Sequence, residues 1–413
     1  MQLNLLCHKR SIVAVFLVML VYPASVAWSS GFGVFTQGAS ALGQADSVVA
    51  HSDGPSALFF NPALMNKLPG TQVEIGTTLL FPNREYIAPD GTTTSTRDTV
   101  FAPSTFYLTH SFNDTISAGL AVFNPFGLGT DWGSDWGGTT PVGGLGRFLA
   151  TNSELTTWNI NPAVSYRILP SLSVAGGMDI LLLDATLESA APPNALIPVE
   201  YRQKFTGSGN GIGYNFGAYF EVNDMLSVGA SYRSKVKIEV DGDLSLSVSP
   251  QSVSGKTTIT LPQQLFAGIA YRPDDRLTLE TGMRWEDWSS FKQLQITVAG
   301  QPPVISPRDW HSTFAINAGG KYQLNKSYSV MAGYLYGWNP VPDSTFEPAI
   351  PDSDTHLFCA GGEARFDRLK IVLSYAYQLQ YDRSKSTNQY GALANGNYTS
   401  DVNLLGLSVG YSF

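Results

Sequence analysis

The chain is short of charge, of cysteine and of long apolar runs. Asp, Glu, Lys and Arg make up 14% of its 413 residues, and there are two cysteines. Cys7 lies in an N-terminal stretch that reads as a cleaved leader, which leaves Cys359 alone. An intrachain disulfide is thereby excluded even in an oxidising compartment, and Cys359 is expected to be a small filler residue in a strand. Past residue 29, no uninterrupted apolar run reaches the roughly 18 residues that a spanning helix needs. The histidines of the mature chain, His51, His110, His311 and His356, are scattered. No serine sits in a nucleophile motif, and there is no Walker loop, CxxC pair or HExxH. An enzyme is not expected, nor a cofactor or resident metal. The formal net charge of -8 argues against a nucleic-acid partner, which requires a basic face.

What the chain does contain is glycine (40), phenylalanine (22), tyrosine (19) and tryptophan (8), at a mean hydropathy of -0.01. Many aromatics, little charge and no net hydrophobicity describe a wall with one greasy and one polar face. Its length would suit two or three soluble domains, but a large barrel grows by adding strands rather than cores. Past residue 70 the sequence breaks into fourteen alternating segments: 71–81, 101–112, 115–124, 155–169, 171–187, 211–222, 225–240, 262–272, 276–298, 310–323, 327–338, 355–366, 368–381 and 400–413. The gaps run long, short, long, short. The short ones carry turn residues, such as Asn113-Asp114, Asn223-Asp224 and Asn325-Lys326. An even strand number with short turns on one side and long loops on the other is the pattern of an outer-membrane barrel. The fold class expected is therefore all-β: a 14-stranded antiparallel transmembrane β-barrel, crossing the outer membrane of a Gram-negative bacterium many times. Closure is required, because hydrocarbon offers no hydrogen-bond partner to an unpaired strand edge.

The segment 226–240 shows the alternation best. Leu226, Val228, Ala230, Tyr232, Ser234, Val236, Ile238 and Val240 share one parity, with Arg233, Lys235, Lys237 and Glu239 on the other. By parity Arg233, Lys235, Lys237, Glu239, Glu280, Arg284, Glu286, Lys321, Glu363 and Arg365 are expected to face the lumen and largely to neutralise one another. Trp158, Tyr166, Trp285, Trp288, Trp310, Tyr336 and Trp338 fall near strand ends and suit interfacial girdles.

Three divisions are expected. Residues 1–29 form a signal peptide, with Lys9 and Arg10, an apolar stretch over 12–21, and Ala27-Trp28-Ser29 before the cut. Residues 30–69 do not alternate; Asn61 suits a helix N-cap and Pro62 the first helical position. About forty residues cannot bury a core of their own, so this segment is expected to pack inside something larger, as a hatch or plug. Residues 70–413 form the barrel. The final strand alternates to a terminal aromatic, Phe413, a feature that the outer-membrane assembly machinery is expected to read.

Several stretches resemble the FadL/TodX family of outer-membrane transporters for long-chain fatty acids and other hydrophobic compounds. They are Gly31-Phe32 through Gly38–Gly43, Asn61-Pro62-Ala63, Pro125-Phe126-Gly127-Leu128 with Gly146-Arg147-Phe148, Asn161-Pro162-Ala163, Trp285-Glu286-Asp287-Trp288, and Pro340–Asp343 leading to Ile350–Asp354. They are spread in order over nearly the whole mature chain. The resemblance implies a fourteen-stranded barrel plugged by an N-terminal hatch. It implies capture of substrate by apolar outer loops, a lumenal pocket touching the hatch, and diffusive sideways exit through a gap in the wall, with Asn61-Pro62-Ala63 beside that gap. A monomer in outer-membrane lipid and lipopolysaccharide is expected.

The candidate path residues are Asn61, Pro62 and Ala63, the stretch Pro125, Phe126, Gly127, Leu128 and Gly129, and Leu196, Ile197 and Val199. Proline removes a ladder donor and glycine weakens a strand, so 125–129 is where a wall would open. The apolar run in the outer loop 188–209, with Trp132, Trp136 and Phe148, suits a greasy landing site. Arg147, Arg202, Lys204, Arg233 and Arg284 are candidates for holding a carboxylate. Asp343, Asp352 and Asp354 share one outer loop; clustered carboxylates suit Ca²⁺, although a solvated acidic loop is the expectation. The competing functional class is a non-transporting surface barrel, an adhesin or a phage or host contact.

Overall fold

The computed structural model describes residues 31–138, 144–195 and 197–413. Fourteen strands form the wall: β1 (Thr71–Ile87), β2 (Ser104–Ser111), β3 (Ile116–Phe123), β4 (Asn152–Leu169), β5 (Leu172–Ala191), β6 (Tyr201–Asn223), β7 (Leu226–Arg233, continued by Val236–Leu246), β8 (Val253–Leu261, continued by Gln264–Tyr271), β9 (Leu277–Glu286), β10 (Thr313–Gln323), β11 (Tyr328–Gly337), β12 (Thr355–Phe366), β13 (Leu369–Gln380) and β14 (Gly396–Ser412). Each pairs antiparallel with its neighbours in sequence. The ring closes where β14 pairs with β1, from Gln72 opposite Ser412 to Ile87 opposite Asn397. The sheet therefore has no terminal edge strand. The short turns lie at the end where β1 starts and β14 finishes, as the loop rhythm predicts.

Side-chain class along the outside of β6 marks the membrane. Ile212, Tyr214, Phe216, Ala218, Phe220 and Val222 point outward. Eleven residues at about 3.3 Å each, tilted by about 40°, cover roughly 25 Å, the height of an outer-membrane apolar band. Beyond it the same face carries Asn210, Ser208, Thr206 and Lys204, because there the outside meets water. On β5 the outward Met178, Ile180 and Leu182 likewise give way to Asp184 and Thr186.

Inside, the order is reversed. Leu181, Leu183, Val236, Ile238, Val240, Ile259, Leu261 and Phe205 pack in an apolar core within the outer third of the barrel. This arrangement corrects the parity reading of β7. Arg233 faces the lumen, but Lys235, Lys237 and Glu239 are exposed on the outside. Arg233 sits opposite Asn215 and Glu239 opposite Asn210, so six steps on β7 face five on β6. The extra residue is a bulge, and it exchanges the two faces. Pro262-Gln263 interrupts β8 at the matching level. Other expectations change: the strand expected over 276–298 ends at Glu286, and the one expected over 262–272 begins at Val253. The strands β5 and β6 are longer than predicted, so the outer loop expected at 188–209 shrinks to 192–200. Trp288 and Trp310 are not girdle residues; they turn inward and pack on Phe32, at 4.5 and 5.8 Å between rings.

The N-terminal segment fills the lumen. It has two short helices, α1 (Ala39–Gly43) and α2 (Ala57–Phe60), and a 3-10 turn, Pro62–Lys67. Asn61 caps that turn by accepting from the Ala63 N–H at 3.2 Å, with Pro62 in the first helical position. Buried charge ties the segment to the wall. Glu280 of β9 accepts from the N–H groups of Val49 (2.5 Å) and Ala50 and meets His51 Nδ1 at 2.6 Å. Lys321 bridges Asp53 and Glu363, and Lys370, paired with Glu74 of β1, donates to Asp53 O at 2.8 Å. Cys359 is buried among Phe35, Leu42, Leu335 and Leu357, as a filler residue should be. The proposed leader, residues 1–29, lies outside the described residues.

Candidate functional site

The regular ladder of β3 stops at Phe123, opposite Asn159. Pairing with β4 resumes only at Gly127, opposite Thr156, and runs to Asp131. Pro125 has no N–H to give, and the freed backbone groups find partners elsewhere. Thr157 Oγ1 accepts from Phe126 N at 3.0 Å and donates to Phe126 O at 2.6 Å. Gln37 donates to Asn124 O at 2.9 Å. Gly33 forms an isolated antiparallel bridge with Phe126, with Gly127 N donating to Phe32 O at 2.9 Å and Val34 N to Pro125 O at 3.3 Å.

On its other side this stretch faces residues 98–103, which lead into β2. At the outer end Arg97 N donates to Asp131 O at 2.8 Å, and at the inner end Ser104 N donates to Asn124 Oδ1 at 3.0 Å. Between these two bonds no backbone hydrogen bond among the described residues crosses from 98–103 to 125–130; Phe101 and Pro103 pair with Leu80 and Thr78 of β1 instead. The wall has a window here. The Phe101 ring lies on Gly129, where even a methyl group would overlap it. Arg84 of β1 reaches the same glycine, its Nη1 donating to Gly129 O at 2.6 Å.

A cavity of about 270 Å³ opens at the window. Its lining includes Phe35, Leu80, Val402 and Leu404, which face the lumen, and also Thr156 and Trp158, which point outward from β4. Residues of both faces border one space. Asp352 closes its outer end; its carboxylate accepts from Gly31 N at 2.9 Å and from Ser353 N at 3.0 Å. Burial pushes Asp352 up to about 7, against the Gly31 hydrogen bond and the Arg383 charge.

The sequence-derived candidates distribute unevenly. Phe126, Gly127, Leu128 and Gly129 line the cavity, and Pro125 forms its edge. Asn61-Pro62-Ala63 does not line it. That triplet packs on β6 and β7, where Asn61 Nδ2 donates to Val49 O and Ala218 O at 2.9 Å and Gly217 makes room for it. Trp132 and Trp136 are buried against Tyr398 and Tyr86, beneath the outer loops rather than on them. Val199 is 54% exposed at the loop tip, Ile197 is half-buried beside it, and Leu196 lies outside the described residues.

None of the five proposed carboxylate-binding residues reaches the cavity. Arg147 is buried in an ion pair with Glu200 (2.7 Å), which joins the two outer loops. Arg202 and Lys204 point away from the lumen, and Arg233 is spent on Asp179. Arg284 lies 4.5 Å over the Phe35 ring, beside Glu286 at 3.5 Å. The acidic loop is not uniformly solvated. Asp343 pairs with Arg383 and Lys385, which hold it below the usual carboxylate range despite partial desolvation. Asp352 is buried, and Asp354 accepts from Asn339 N at 3.2 Å. Among the described residues no three potential metal ligands converge.

Arg84, Leu80 and Phe101 were missed. Ending the first strand at 81 hid the inward series Thr78, Leu80, Pro82, Arg84 and Tyr86, which a longer alternating strand would have placed on one face.

Residues 20–413 match the sequence profile described as outer membrane protein transport protein (OMPP1/FadL/TodX). The chain is 22% identical to a putative outer membrane protein of Neisseria meningitidis, over 97% of this chain and 98% of that one. It is 23% identical to a long-chain fatty acid transport protein of Escherichia coli, over 93% and 94%. Among solved structures, a Pseudomonas aeruginosa FadL homologue superposes with a TM-score of 0.81 at 21% identity, covering 93% of this chain and all of that one. The toluene transporter TodX of P. putida gives 0.74 at 16%, covering 93% and 99%. The closed barrel, its filled lumen and the profile match agree: this chain is an outer-membrane protein of the OMPP1/FadL/TodX transport family.

Proposed function

We propose that this barrel takes up hydrophobic compounds passively across the outer membrane and releases them sideways through the window between 98–103 and 125–130. The observation that carries this reading is the cavity whose lining joins lumen-facing Val402 and Leu404 to outward-facing Trp158. A hydrophobic solute leaving by such a route enters the bilayer without crossing the polar, charge-lined lower lumen. Transfer from loops to cavity to lipid needs no energy source, because apolar surface stays out of water throughout. The outer loops tied by Arg147 and Glu200, with Ile197 and Val199 at their tip, form the entrance in this reading. The hatch, held by Asn61 and Glu280, blocks straight passage to the periplasm. Phe413, exposed at the end of the closing strand, serves the assembly machinery.

The test is uptake of radiolabelled oleate and of toluene by a strain lacking its own carrier and expressing this chain. Restored uptake of either supports the proposal. Failure with both, in cells where the barrel is folded in the outer membrane, overturns it in favour of a surface-contact role.

A further inference from the structure

The Phe101 side chain stands in the opening between 98–103 and 125–130. Its backbone is fixed on β1: Phe101 N donates to Leu80 O at 3.1 Å, and Leu80 N donates to Phe101 O at 2.8 Å. The ring reaches from there across the gap and rests on Gly129, where a Cβ would overlap it. The opposite edge is fixed as well. Gly129 pairs with Glu154 of β4, and Arg84 Nη1 donates to Gly129 O at 2.6 Å. Phe101 is half-buried and lines the cavity. With both backbone edges pinned, the ring is the part that can turn without breaking a hydrogen bond.

We propose that Phe101 is the specificity-determining residue of the window, and that its ring makes the exit a slot which passes an unbranched chain or a flat ring edge-on and holds back a branched skeleton. The inference rests on the uptake reading and adds to it a limit on shape. One side of the slot is the ring; the other is an edge with glycine at 127 and 129. A methylene chain needs only a small turn of the ring to pass. Each methyl branch must push the ring farther into its neighbours, and overlap of packed atoms is costly. The pinned edges are what make this selective. A backbone free to yield would widen the gap for any solute alike.

The experiment measures initial uptake of radiolabelled hexadecanoate and of its tetramethyl derivative, phytanate, by a strain lacking its own carrier. Expression is set where uptake scales with the amount of barrel, and cells without the barrel give the blank. The readout is the ratio of the two rates. The native protein should favour hexadecanoate, and Phe101→Ala should lower the ratio by about tenfold, the scale on which a pocket distinguishes one methylene, through faster phytanate uptake. Phe101→Leu, which keeps an apolar side chain, should fall between the two and decides the matter if the alanine variant does not assemble. Entry of nitrocefin, a polar solute, should stay at the native rate, because the hatch still blocks the straight path. A native barrel without preference, a ratio unchanged in the variants, a ratio that falls with no rise in phytanate uptake, or faster nitrocefin entry each overturns the proposal. Hexadecanoate uptake with an unchanged ratio sinks this inference alone, whereas no uptake of either compound by the native protein sinks the uptake reading with it.

Discussion

On the uptake reading, two residues govern the window. Gly129 has no side chain and the Phe101 ring occupies the space one would need. Gly129→Leu should force the Phe101 ring aside into the opening and lower oleate uptake by about tenfold, equivalent to about 1.4 kcal/mol on the path. The folded barrel should keep its heat-modifiable migration on gels, which separates blocked passage from failed assembly. The second residue is Asp352. Below about pH 7 its carboxyl is neutral; above, it adds a negative charge to the cavity that also holds Arg84. Arg383 opposes that charge, and Asp354, itself raised to about 6 by desolvation, reinforces it. A folded-state pKa above the ordinary one means that ionisation is disfavoured in the fold, so the stability involved is present at low pH and lost as pH rises through 7. Dodecanoate affinity should accordingly fall between pH 6 and 8, and Asp352→Asn should flatten that slope. A slope unchanged in D352N would place the titrating group elsewhere. At this scale the sequence was half legible. Proline and glycine at 125–129 point to the break because their backbone chemistry is local. The partners across the window, Arg84 and Phe101, come from other strands, and only three-dimensional register brings them there.

At the scale of elements, the alternation located all fourteen strands, since a period of two is imposed residue by residue by the pleat. It misjudged where faces exchange. A bulge at Ser234 costs one residue and reverses inside and outside, and the clean run from Leu226 to Val240 hides it because apolar residues lie outside below the bulge and inside above it. Strand length was underestimated at the outer end of β6 for the same reason: polar outward residues such as Thr206 and Ser208 read as loop when they are wall above the membrane, whereas the strand expected over 276–298 ends at Glu286. The hatch was legible as an element, through its lack of alternation and the Asn61-Pro62 cap. Its attachment was not, because Glu280 and Lys321 read only as lumenal charges. Glu280→Ala should leave the Val49 and Ala50 N–H groups and His51 without their acceptor and destabilise the hatch by about 3–5 kcal/mol, the usual effect of breaking a buried charged pair. Hydrogen exchange over residues 45–55 should accelerate while the barrel strands stay protected. Equal protection in E280A would show that packing alone holds the segment.

For the whole molecule, the inside-out polarity of the outer third gives the barrel two solvents. Around the membrane its exterior is apolar and its lumen carries Asp179, Arg233 and Glu280; above, the exterior is charged and the interior is a core of Trp136, Trp288, Ile238 and Phe346. A hydrophobic solute is therefore favoured inside only in the upper part, and the window opens at the level where the interior turns polar. On the uptake reading, solute leaves there. A diazirine-labelled hexadecanoate given to intact cells, photolysed during uptake and mapped by mass spectrometry, tests this most directly. Labels on both 98–103 and 124–131 are expected. Labels confined to the outer loops and the hatch, with neither window segment marked, would contradict it.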